Sequence, residues 1–175
     1  MEYPSHYNFP RSKKAAGSDA IIKDMESVGI DMSDQDKELS DTYAIGGWKT
    51  GVSPVELAGA YATIANNGNY IESHTINYVE VVETNKTVKI DEELQKNVTQ
   101  SIGEDVSFMI RETMLSYSSS TTGSYSSLSG LDNVGAKTGT SNWDSTSPYV
   151  KAGKSRDLWT TAYTPDYTCS VWMGI

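Results

Sequence analysis

Lysine, threonine and glycine stand side by side twice in this chain, as Lys49-Thr50-Gly51 and Lys137-Thr138-Gly139. An ammonium brings charge, a hydroxyl brings a hydrogen bond, and a residue without a side chain lets a ligand's backbone come close. Together they can hold the acidic end of a small molecule or peptide. The two copies differ in setting. Lys49-Thr50-Gly51 lies between Gly46-Gly47 and Ser53, the cap of a helix, where turn chemistry alone accounts for it. Lys137-Thr138-Gly139 runs on into Thr140 and Ser141, in a stretch able to lie extended. Alternate side chains of a strand face one way, so Lys137 and Gly139 share a face and Thr138 points oppositely. If that strand borders its sheet, its N–H and C=O groups can pair with an extended peptide. Lys137 or a threonine hydroxyl then receives the peptide's carboxylate.

Few other residues compete for a chemical role. Cys169 is the single cysteine, so an intramolecular disulfide is excluded, and in an apolar strand it reads as packing. His6 and His74 are far apart and no Cys/His cluster has metal-ligand spacing, so neither metal nor cofactor is expected. A formal net charge of −9 without a run of Lys or Arg argues against a nucleic-acid partner, which needs a clustered basic surface. No apolar stretch approaches the roughly 20 residues of a membrane helix. The opening MEYPSHYNFP lacks the apolar segment of a signal peptide. Any membrane anchor is therefore expected outside this chain.

The elements that must position the motif follow from patterning, within one domain spanning residues 1–175. Residues 1–17 are polar and turn-rich, an irregular lead-in. From Ser18, Ile21, Ile22, Met25 and Val28 fall on one helical face that Gly29 closes, and a polar segment follows to about residue 45. The clearest helix opens at Ser53, with Pro54 in the first turn and Glu56 three residues after the cap. Its apolar residues, from Val55 to Ala65, imply a mostly buried helix that Asn67-Gly68 stops. Residues 70–90 alternate and turn near Asn85-Lys86 as a hairpin. A second long helix near Val106–Tyr117 presents Val106, Met109, Ile110, Met114 and Leu115. Residues 118–130, rich in Ser and Gly, read as a flexible loop leading to the motif. Val134–Thr140 is a short strand, and residues 157–175 form two more around a tight turn at Pro165-Asp166, in an antiparallel arrangement.

The segment GVSPVELAGAYATIANNGNY (residues 51–70), followed in order by GAKTGTSN (residues 135–142) and DLWTTAYTPDYTCSVWMGI (residues 157–175), resembles the transpeptidase domain of class A penicillin-binding proteins. The likeness runs from about residue 18 to the end. It implies an α+β fold, an antiparallel sheet packed with helices as in serine β-lactamases and penicillin-binding proteins, here incomplete. It also implies a serine D,D-transpeptidase that cross-links peptidoglycan stem peptides ending in D-Ala-D-Ala, is acylated by β-lactams and works on the extracytoplasmic face of the bacterial membrane. By matching, Lys137 serves the proton network and the carboxylate site, and Thr138 and Thr140 bind the carboxylate. Gly139 lines the strand, and the backbone N–H of Thr140 is one oxyanion donor. The first Lys-Thr-Gly matches no catalytic position.

Two of the family's motifs are missing. No serine in this chain has a lysine three residues later, so the Ser-x-x-Lys nucleophile is absent, and no Ser-x-Asn occurs. HYNFPR comes nearest: Asn8 and Pro10 match the tail of Ser-x-Asn-x-Pro, with His6 in the serine's place. Because the family's order puts Ser-x-x-Lys first and Lys-Thr-Gly last, the chain reads as the C-terminal portion of one transpeptidase domain. The remainder of that domain is its expected partner, and alone it is expected to be inactive. Two alternatives share the resemblance. One is a non-catalytic module of the same fold that binds peptides or a partner protein. The other is a serine β-lactamase, for which no deacylating carboxylate can be nominated.

Overall fold

A computed structural model describes residues 14–35, 38–118, 128, 130–143 and 154–174. Three helices and a three-stranded sheet carry the framework. The first helix, α1 (Ser18–Ser27), is followed by a 3₁₀ turn at Asp41–Ile45 and by α2 (Pro54–Ala65). Strand β1 (Asn69–Tyr70) pairs antiparallel with β4 (Thr99–Gln100). Between them lie the hairpin of β2 (Tyr78–Val81) and β3 (Lys86–Lys89) and the short α3 (Ile90–Leu94). Then come α4 (Glu104–Ser118), β5 (Gly135–Asn142), β6 (Ser155–Tyr163) and β7 (Thr168–Gly174). The last three strands form an antiparallel sheet in the order β5-β6-β7.

Local chemistry explains α2. The Ser53 side chain accepts from the Glu56 N–H at 3.2 Å, and the Glu56 carboxylate accepts from the Ser53 N–H at 2.7 Å, a complete capping box. Glu56 also accepts from the Asp31 N–H at 3.1 Å, tying the helix start to the chain after α1. Burial pushes the Glu56 carboxyl up, but the bonds from Ser53 and Asp31 outweigh it, so its pKa lies below the ordinary glutamate value. The helix is half-buried rather than mostly buried: Ala60 and Thr63 are enclosed, whereas Val55 is 57% exposed.

The main core joins α1 to the segment behind it. Val28, Ile30, Met32, Leu39, Tyr43 and Ala60 cluster there, with Ile21, Ile22 and Met25 packed against them. The segment after α1 is thus not simply polar. It contributes Met32, Leu39 and Tyr43, single apolar residues too irregularly spaced to show a period. Leu39 is held in place by its own N–H, which donates to Ser18 Oγ at 3.2 Å.

Outside that cluster Met114 of α4, Val134, Ala136 and Tyr163 are also buried. The buried residues of α4 are Ser107, Met114 and Ser118, while Val106 and Met109 are exposed. Met114 is buried as predicted, with Ile110 and Leu115 half-buried beside it, but Val106 and Met109 fall outside the buried face. Small hydroxyls allow close approach when their O–H groups are satisfied: Ser107 donates to the Ile64 carbonyl at 2.8 Å, and Ser118 donates to that of Val134. Pairs such as Tyr163↔Thr168 place the turn at Pro165-Asp166 as expected, and Thr164 N–H donates to the Tyr167 carbonyl across it at 2.8 Å. Cys169, by contrast, is exposed on β7 rather than packed. It shares a sheet face with Leu158, Val171 and Met173, all exposed. Among the described residues no helix is long and apolar enough to cross a membrane.

Ser53→Ala should lower unfolding free energy by about 1 kcal/mol, the usual worth of an N-cap, read from urea denaturation at pH 7. Because the Glu56 pKa is depressed on folding, its stabilisation is present above about pH 4.3, the ordinary glutamate value. It should be lost as pH falls through the folded value. The wild-type advantage over Glu56→Gln should therefore shrink on acidification.

Candidate functional site

The two Lys-Thr-Gly copies have different fates. The first sits in a loop held by Gln35, which is 7% exposed. Lys49 N–H donates to Gln35 Oε1 at 3.1 Å, and Gln35 Nε2 donates to Thr50 Oγ1. Tyr43 and Trp48 stack obliquely beside it, their ring centroids 5.6 Å apart. That copy builds structure.

The second copy is the middle of β5. Its residues pair in register with β6, Lys137 opposite Thr161, Thr138 opposite Thr160, Gly139 opposite Trp159 and Thr140 opposite Leu158. Among the described residues β5 has no strand on its other side, so it borders the sheet. Lys137, Gly139 and Thr140 are exposed and Thr138 is half-buried. The Lys137 ammonium donates to the Thr138 carbonyl at 2.5 Å, which keeps its charge beside its own strand.

The inner end of β5 is fixed from below. A side chain at Gly135 would bring its first carbon within 2.3 Å of the Tyr163 ring, so the ring lies where only glycine fits. Tyr163 is 3% exposed, burial pushes its phenol pKa up, and its hydroxyl points to the Arg111 carbonyl of α4 at 3.5 Å. Gly139 differs: a first carbon there would meet only Trp159 Cβ, at 3.5 Å, an ordinary contact.

The outer end of β5 is held by a carboxylate that patterning alone did not single out. Asp157 Oδ2 accepts from Ser141 Oγ at 2.5 Å and from Arg156 Nε at 2.7 Å, and Oδ1 accepts from Trp172 Nε1 at 3.1 Å. One carboxylate thus joins all three strands. Burial pushes the Asp157 pKa up, yet these three bonds and the Arg156 charge outweigh it and hold the group below the ordinary aspartate value. The one available signal was register, since Ser141 and Asp157 face each other only once the strands are aligned.

Asn8 and most of residues 118–130 lie outside the described residues, as do most of the lead-in and residues 144–153. Among the described residues no group of histidines, cysteines or carboxylates could hold a metal ion.

An antiparallel sheet backed by helices, bordered by a Lys-Thr-Gly strand, is the architecture of a penicillin-recognising transpeptidase. The model of the penicillin binding protein transpeptidase domain matches residues 16–175, and the chain belongs to that family. Penicillin-binding protein 1A/1B of Bacillus subtilis (strain 168) is 32% identical over 175 residues, covering 96% of this chain and 18% of that protein. Penicillin-binding protein 1A of Clostridium botulinum (strain Hall / ATCC 3502 / NCTC 13319 / Type A) is 27% identical over 159 residues, covering 90% and 17%. The chain therefore spans about a fifth of the length of these curated relatives. Among solved structures, penicillin-binding protein PonA1 from Mycobacterium tuberculosis shares the fold with a TM-score of 0.69 at 22% identity, covering 91% of this chain and 42% of that one.

Gly135→Ala should destabilise the domain by about 1–3 kcal/mol, the range for overpacking a filled site. Gly139→Ala should leave the unfolding midpoint nearly unchanged, and thermal melts of the two variants read the contrast.

Proposed function

We propose that this chain forms the substrate-facing wall of a serine D,D-transpeptidase that cross-links peptidoglycan stem peptides. The observation that carries the reading is β5, which presents Lys137 and Thr140 on an open sheet border within a transpeptidase family domain. Two relatives by fold have been solved with β-lactams: PonA1 in complex with penicillin V, and penicillin-binding protein A of M. tuberculosis as a ceftriaxone acyl-enzyme.

In this reading a peptide ending in D-Ala-D-Ala lies along β5 as an added strand, its main chain pairing with the border. Its terminal carboxylate meets the Lys137 ammonium and the hydroxyls of Thr138 and Thr140, since charge-assisted hydrogen bonds are the strong ones. Gly139 leaves room for its backbone. The N–H of Thr140 serves as one oxyanion donor, aimed where charge develops on the attacked carbonyl. Asn8 joins from the lead-in. The remainder of the transpeptidase domain brings the serine and its activating lysine, and the reaction proceeds on the extracytoplasmic face of the membrane. The second reading, a peptide-binding module without catalysis, draws on the absence of Ser-x-x-Lys from these 175 residues.

Fluorescent penicillin should give no covalent adduct with the purified chain, and a stoichiometric adduct would overturn the division of labour. Supplying the Ser-x-x-Lys portion of a class A transpeptidase domain in trans should restore labelling. If labelling stays absent while a D-Ala-D-Ala peptide still binds, the module reading wins. Lys137→Ala should weaken that peptide about 10- to 100-fold, the worth of one charged hydrogen bond.

A further inference from the structure

The carboxylate of Asp157 stands in an unusual place for a solvated acid. It lies one cross-strand step from Ser141, which directly follows Thr140, and on the sheet face that also carries Lys137 and Gly139. Regular pairing stops at this point: Ser141 faces Asp157, but Asn142 faces Ser155, so the register shifts immediately beyond Ser141. Past it, pairing resumes in the shifted register, with Asn142 opposite Ser155 and the Trp143 N–H donating to the Lys154 carbonyl at 2.9 Å. At the shift itself, the Asp157 bonds to Ser141 on β5 and Trp172 on β7 add a side-chain tether, and Arg156 compensates the charge.

We propose that Asp157 is a positioning residue for the substrate strand, clamping β5 through Ser141 so that Thr140 keeps a fixed place on the open border. The inference rests on the function proposed above. Two physical consequences separate a clamp from general packing. First, the tether is a side-chain bond to one residue, so its loss loosens the end of β5 and not the helices. Second, a bare carboxylate on this face would repel an anionic ligand, and pairing with Arg156 removes that penalty. Arg156 is the charged side chain at the carboxylate among the described residues, and Ser141 and Trp172 are the uncharged groups facing it from β5 and β7.

The test is backbone amide exchange and peptide titration by NMR on the 175-residue chain, comparing wild type with Asp157→Asn, Asp157→Glu and Ser141→Ala. Asp157→Asn keeps the shape of the side chain, and Ser141→Ala removes a single oxygen, so both should fold. Each should speed exchange of the Ser141 and Trp143 amides about tenfold, with those of α2 and α4 unchanged. The double variant should add little to either single one. A peptide ending in D-Ala-D-Ala should bind the two variants about fivefold to tenfold more weakly, with partial recovery in Asp157→Glu. In the wild type the Trp172 indole N–H and the Ser141 amide should titrate together, as one group with a midpoint below the ordinary aspartate range.

Unchanged exchange at the end of β5 overturns the proposal, as does a uniform rise that includes the helices. So does a loosened strand that binds the peptide as tightly as before. If the wild-type chain fails to bind the peptide, the proposed function falls instead, and local exchange with the shared titration still decides whether Asp157 clamps β5.

Discussion

Tyr163 lies across Gly135 because Gly135 carries no side chain, and the position of the border strand depends on that contact. The ring is trapped between β5 and α4, with its hydroxyl at the Arg111 carbonyl. Ser118 completes the join by donating to the Val134 carbonyl just before the strand begins. Dense packing on one face lets the other edge stay bare. A strand paired on one side only is ordinarily a liability, since its unpaired groups recruit any extended chain. In the proposed function the same property serves recognition, with the helix below backing the strand while its border stays open.

Charge is arranged on a similar scale. The chain is acidic overall at −9, yet β5 exposes a lysine, Lys137. Screening at physiological salt acts over about 8 Å, so local charges outweigh the distant surplus. Of the acidic groups near the strand, Asp157 is already committed to Ser141, Arg156 and Trp172. The repeated tripeptide shows that the motif alone does not decide its structural setting. Lys49 and Thr50 are drawn onto Gln35, whereas Lys137 and Thr140 stand on an exposed strand.

What the sequence made legible were features whose cause is local. The cap at Ser53 and Glu56, the turn at Pro165-Asp166 and the antiparallel pairing of β6 with β7 each depend on residues close along the chain, and each appears as read. Features set by tertiary contact were hidden. Met32, Leu39 and Tyr43 enter the core without any period. Ser107 and Ser118 displace Val106 and Met109 from the buried side of α4 because close approach favours small groups whose hydroxyls find carbonyls. Cys169 and its apolar neighbours on β7 lie open because nothing in the described residues covers that face. The bond between Ser141 and Asp157 required the register, which no single strand contains.

The sheet is a meander, and that fixes the order in which its pieces can close. Tyr163 pairs with Thr168, Asp157 with Gly174 and Gly135 with Tyr163, so every ladder links neighbours along the chain. The helical side is knitted over much longer spans: Ser107 reaches Ile64 across 43 residues, and Ser101 reaches Ser27 across 74. Short loops lose little entropy on closure. The border strand can therefore acquire its partners early in folding, leaving the helices to dock onto a ribbon already zipped.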